Sequence, residues 1–246
     1  VLFTLNGAPV IFDVTGWFVP ADAATSVRFV PITPTRAVDT RAAPRARPLD
    51  PGETLAVALL PGIPADASAV AITITSTQSP GPNYFAVAPG GSPRTATSVL
   101  NTDAAGQTRA SGTIVGVTSA GLDVFALNGG HVIVDVTGWF TGVSAPSGRD
   151  GLFVASPTPS RLADTRAGDP IWANGAIEIA NVAPDAAALA LNVAMITPHR
   201  PGFLTAYAAR QPVPGTSTVN GVASSEVAAT MARSTPRRRW RMSFIE

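Results

Sequence analysis

The sequence predicts an all-β protein made of tandem β-sandwich repeats, immunoglobulin-like or jelly-roll in type, the first and last incomplete. Three observations carry this. Short apolar or alternating runs are separated by clusters of Gly, Pro, Asn, Asp and Ser. No segment holds a long 3.6-residue periodicity. Finally, blocks of sequence recur. The hexapeptide DVTGWF stands at Asp13–Phe18 and again at Asp135–Phe140, 122 residues later. "TPTRAVDTRAAP" returns as "TPSRLADTRAGDP", with Asp39 and Asp164 125 residues apart. "TSVLN", ending at Asn101, returns as "TSTVN", ending at Asn220, after 119 residues. Several blocks in one order at nearly one spacing define a repeat.

Taken along the chain, residues 1–20 read as the closing hairpin of a preceding unit, because "FTLNGAPVIF" sets Asn-Gly between two apolar runs. A complete unit spans 27–142. It opens on the DTR block and continues through "TLAVALL", "AVAITIT", "YFAVAP", "GTIVGV", "LDVFAL" and "HVIVDVTGWF", each bounded by turn residues. "FALNGGHVIV" reads as its closing hairpin. Residues 143–151 form a linker, and 152–232 supply most of a following unit, with "PDAAALALNV" matching "PADASAVAITI" and "GFLTAYA" matching "NYFAVAP". Repeat similarity ends after Ala232. The Arg-rich stretch 233–246 reads as a frameshift product of GC-rich DNA, with a basic tail for an anionic surface as the alternative. Cutting the array leaves strand edges on 1–18 and on 152–232, so the first is expected to dock on the second, within one chain or between chains.

Composition narrows the function classes. Without cysteine there are no disulfides, no thiol catalysis and no Cys-ligated metal. All 17 basic residues are Arg, which fits a GC-rich coding bias. Five of them lie in the last 14 residues; the rest of the chain sets twelve Arg against fifteen acids. That acidic body argues against a nucleic-acid groove. No apolar run is long enough for a membrane-spanning helix, and the first residues show no leader pattern.

The P-x-R-x-x-DTR opening, the P-x-x-A-x-A-V middle, the TSxLN block and the HVIVDVTGWF ending together resemble a repeat module widespread in secreted and cell-surface proteins of actinobacteria. The resemblance covers nearly all of 1–232 and departs where Thr73 and Thr75 replace the Asn-x-Thr pattern that Asn192 retains. It implies an extracellular or cell-surface, non-catalytic accessory module beside hydrolase or adhesion-type domains. It brings no biochemical activity with it.

Strict alternation sorts the DVTGWF strand into two faces. Val132, Val134, Val136, Gly138 and Phe140 form the expected core face; Asp135, Thr137 and Trp139 share the other, as do Asp13 and Trp17 in the first copy. A carboxylate there needs a partner, and the DTR block offers Arg36, Asp39, Thr40 and Arg41, repeated as Arg161, Asp164, Thr165 and Arg166. The DTR block is expected to lie across the second face. Arg36 or Arg41 would meet Asp135 and Trp139 in a structural network, since a guanidinium forks onto a carboxylate and stacks on an indole. The rival reading is a glycan platform of Trp139, Asp135 and Thr137; the partner expected is a cell-wall or extracellular polysaccharide or protein. No cofactor or metal is expected: Asp39, Asp103, Asp123 and Asp135 lack a D-x-D-x-D-G loop. Catalysis is not expected either, since His131 has Pro9 as its counterpart and no Glu lies in a repeated block.

Overall fold

A computed structural model of the chain describes residues 10–19, 28–94, 98–146, 151–168, 171, 175–180, 188–209, 211–223, 226–234 and 239–245. The strands are β1 (Val10–Val19), β2 (Phe29–Asp39), β3 (Thr54–Val57), β4 (Ala69–Thr77), β5 (Asn83–Pro89), β6 (Leu100–Thr102), β7 (Arg109–Gly116) and β8 (Leu122–Ala126). They continue as β9 (His131–Phe140), β10 (Leu152–Asp164), β11 (Ala176–Ala180), β12 (Ala188–Ile196), β13 (Gly202–Ala208), β14 (Val219–Gly221), β15 (Glu226–Ser234) and β16 (Arg239–Ile245). The protein is all-β. Among the described residues the one helical element is a single 3₁₀ turn, Thr165–Ala167, and no helix is long and apolar enough to cross a membrane.

Among the described residues four antiparallel sheets of four strands form: I, β2-β9-β4-β7; II, β3-β8-β5-β6; III, β10-β1-β12-β15; and IV, β11-β16-β13-β14. Position by position, III repeats the order of I, and IV that of II. In III the place of β9 is taken by β1, and in IV the place of β8 is taken by β16. The Arg-rich stretch thus supplies a strand between β11 and β13, although its sequence has left the repeat pattern. Residues 1–9 of the first expected hairpin lie outside the described residues.

The buried cluster of the 28–146 half draws Val70, Ile72, Ile74, Val132, Val134 and Val136 from sheet I. Val57, Phe85, Val87, Leu100, Leu122 and Val124 come from sheet II. Burying each such side chain stabilises by about 1.5–3 kcal/mol. Two sequence expectations change here. "FALNGGHVIV" is not a hairpin: β8 pairs with β3 and β5, while β9 pairs with β2 and β4. Gly129 and Gly130, both at positive φ, turn the chain from one sheet to the other. The buried Asn83 side chain holds that corner, accepting from the Asn128 amide at 2.8 Å and donating to the Gly129 carbonyl at 2.5 Å.

The second change is a β-bulge. On β4, Ala71 pairs with Gly138 and Ile72 with Val136, so Thr137 is left without an opposite residue. Beyond it the faces exchange. Trp139 packs with the valine cluster, whereas Phe140 joins Phe29, Ala71 and Ala188 in a separate cluster. Strict alternation put Trp139 with Asp135 and Phe140 with the valines; the extra residue reverses both. β1 skips Thr15 in the same way, pairing Val14 with Leu191 and Gly16 with Ala190. Gly138 suits the site because a Cβ there would run into the Phe29 ring.

Candidate functional site

The DTR block does not cross the face of the sheet. It enters sheet I as the edge strand β2, beside β9, with Arg36 directly opposite Asp135. Its prolines explain the edge position: Pro31 and Pro34 have no N–H to donate, and the ladder breaks between Pro31 and Thr35.

From that position Arg36 closes a fork on the carboxylate. Its Nε donates to Asp135 Oδ1 at 2.9 Å and its Nη2 to Oδ2 at 3.3 Å. The Asp135 side chain is 1% exposed and that of Arg36 36%. The anion is buried and the cation reaches out to the rim. Arg36 has two further contacts, Nη1 to Asp39 Oδ2 at 3.3 Å and Nη2 to the Gly215 carbonyl at 3.2 Å, on the loop between β13 and β14.

Arg41 does not reach Asp135; it folds back on Asp39. Its Nε and Nη2 donate to Oδ1 and Oδ2 at 2.9 and 2.7 Å, and its amide donates to Oδ1 at 3.0 Å. The Arg41 side chain holds the Asp39 carboxyl below its ordinary value against the opposing effect of burial, with the Arg41 amide and the charge of Arg36 adding to it. Asp39 in turn raises Arg41. Thr40 pins the start of β9: its hydroxyl accepts from the Val132 amide at 3.0 Å and meets His131 Nδ1 at 3.0 Å. His131 is thereby a structural neighbour of Thr40.

The later DTR block repeats the turn. Arg166 donates to Asp164 through its amide at 3.1 Å, Nε at 3.0 Å and Nη2 at 2.7 Å, and Thr165 opens the 3₁₀ turn. Asp13 and Arg161 are opposite each other in register, as Asp135 and Arg36 are. The side chains of Asp13, Trp17 and Arg161 lie outside the described residues.

The second face of sheet I is closed. Thr73, Thr75, Asp135 and Thr137 are buried, and Thr137 donates to the Ala71 carbonyl at 3.2 Å. Thr75 meets Ser217 at 3.5 Å, and Ala188 joins the Phe29–Phe140 cluster, so the later half covers this face. Among the described residues no group of three His, Cys, Asp or Glu could hold a metal ion.

Two features escaped the sequence reading. Glu53 gathers Arg45 at 2.5 Å, Arg47 at 3.1 Å and the Asp50 amide at 2.7 Å. Burial would raise its carboxyl, but the Asp50 amide, Arg45 and Arg47 outweigh it and hold the pKa at about 2. The run "RAAPRARPLDPGE" carries the signal, as three Arg followed by two acids across a Pro-rich loop. The other is a shallow depression on sheet II, about 40 Å³, lined by Thr54, Ser92, Asp123 and Phe125. Arg94 lies over the Phe125 ring, 4.4 Å from its centroid, and caps it. No family model and no curated protein matches the chain, so the site is read from its own geometry.

Proposed function

We propose that the chain is a non-catalytic structural module, two jelly-roll sandwiches in tandem, serving as a spacer or adhesion and surface-display unit of an extracellular protein. The jelly-roll reading is supported by the order of sheets I and II, in which nearly every connection passes from one sheet to the other. Its extracellular setting rests on the sequence resemblance. The observation that carries the spacer role is Arg36, which binds the buried Asp135 carboxylate of one half and the Gly215 carbonyl of the other. A spacer works through a stiff joint, and a charge-assisted fork over a closed polar face supplies one. The glycan platform has less support, because Asp135 and Thr137 are buried and Trp139 faces the valines.

The test uses the absence of cysteine. Spin labels at Ala104→Cys and Arg200→Cys, both exposed, report the distance between the halves. A narrow distance distribution is expected, broadening in Arg36→Ala. A broad distribution with Arg36 intact would remove the spacer reading.

A further inference from the structure

Every strand of sheets III and IV except β1 comes from residues 152–245, whereas β1 precedes sheets I and II in the chain. It is nevertheless a central strand, bonded to β10 on one side and β12 on the other. The strand after it in sequence, β2, belongs to sheet I. β1 is therefore tied covalently to one half and by hydrogen bonds to the other. Its connection, residues 20–28, begins and ends close to one place: Val19 pairs with Leu152, and the neighbouring Gly151 carbonyl accepts from the Phe29 amide at 2.8 Å. Nine residues extend to about 30 Å, far more than that closure uses.

We propose that β1 is an exchangeable strand, and that two copies of this chain form a closed dimer in which β1 of each lies between β10 and β12 of the other. Exchange reproduces the same ladders in the same register, so lost translational freedom is the main opposing term. The slot selects its occupant. The bulge at Thr15 must meet the step between Leu191 and Ala190, and in sheet I the same hexapeptide fills the same position with the same bulge. A tethered strand has an effective concentration of roughly a millimolar, so a dilute chain keeps its own β1. Refolding at comparable chain concentration lets another copy compete. Withdrawing a central strand opens ladders on both sides, which traps the exchanged form once made.

Two full-length single variants, Val19→Cys and Leu152→Cys, are mixed, refolded together over a range of concentrations up to roughly a millimolar, and oxidised. These positions are opposite each other in register, so a 19–152 disulfide between the two chains requires exchange. The double variant in one chain reports whether that bond can close. Expected are a peptide linking positions 19 and 152 in the mixed sample, increasing at least tenfold from dilute to concentrated refolding, and a native chain that runs as a dimer by light scattering after concentrated refolding. A native chain that stays monomeric at every concentration overturns the proposal. So does a dimer whose mixed sample lacks the 19–152 link while the double variant forms it. If the double variant fails to close, the same mixture with Phe18→Cys and Phe153→Cys decides on the same terms.

Discussion

Residues 28–146 form sheets I and II, and residues 151–245 together with β1 form sheets III and IV in the same strand orders, yet the position beside the DTR strand is completed differently. In the first half β9 arrives last in the chain and slides between β2 and β4. In the second, β1 comes from before β2 in the chain to lie between β10 and β12. Both strands carry DVTGWF, both are bulged at the Thr, and both set the Asp opposite an Arg of the neighbouring edge strand. The slot therefore depends on what a strand presents to its neighbours and not on where it falls in the chain.

The largest test of that equivalence is proline in each closing strand. Val134→Pro removes a ladder bond from a central strand and is expected to cost about 4 kcal/mol or more, stripping hydrogen-exchange protection from sheets I and II. Phe12→Pro, one residue before the Asp in β1 as Val134 is in β9, is expected to deprotect sheet III while leaving β4 and β9 protected. Persistent protection of β12 in Phe12→Pro would show that β1 is dispensable there.

Next in size is Arg36→Ala, which removes the forked guanidinium from a buried carboxylate and is expected to cost about 3 kcal/mol in denaturant unfolding. Arg36→Ala combined with Asp135→Asn should recover part of that loss, because the buried charge goes with it. A double variant no more stable than the single would place the effect in packing.

Acid separates the halves by a third route. Glu53 has its folded pKa held at about 2 against an ordinary 4.5, so the unfolded chain takes up its proton first as pH falls. Its contribution is present above about 4.5 and is lost as pH falls toward 2. The segment before β11, "DPIWANGA", has no Glu, so the acid-sensitive step is expected in the 28–146 half and flattened by Glu53→Gln. Equal acid sensitivity at β12 and β4 by hydrogen exchange would contradict it. The smallest expected effect is Arg41→Ala beside Arg166→Ala. Their side chains are 44% and 47% exposed, so each should cost under about 1 kcal/mol, and similarly.

The sequence made the β class legible because short apolar runs and Gly/Pro turns are local signals. The Arg–Asp pairing was legible because a carboxylate inside an apolar strand requires a cation, and the DTR block held the recurring ones. Sheet membership was hidden: Asn128-Gly129 has hairpin chemistry, yet Asn83, far away in sequence, holds it as a corner between sheets. The Thr137 bulge was hidden as well, since DVTGWF satisfies plain alternation on paper. Only the pairing with β4 shows the extra residue, and with it the reversal of Trp139 and Phe140. The β16 strand escaped because pattern matching reads side chains, whereas a strand's place between β11 and β13 is secured by backbone groups that any non-proline residue carries.

The bulge also works as an index mark. A smooth strand can slip by two residues and present the same alternation to its neighbours. DVTGWF cannot, because its notch at Thr137 or Thr15 must meet one particular step on β4 or β12, and any slip would drive Asp135 away from Arg36 at the same stroke. A strand so marked carries its own alignment, which is what a part needs if it is to be fitted from either end of a chain.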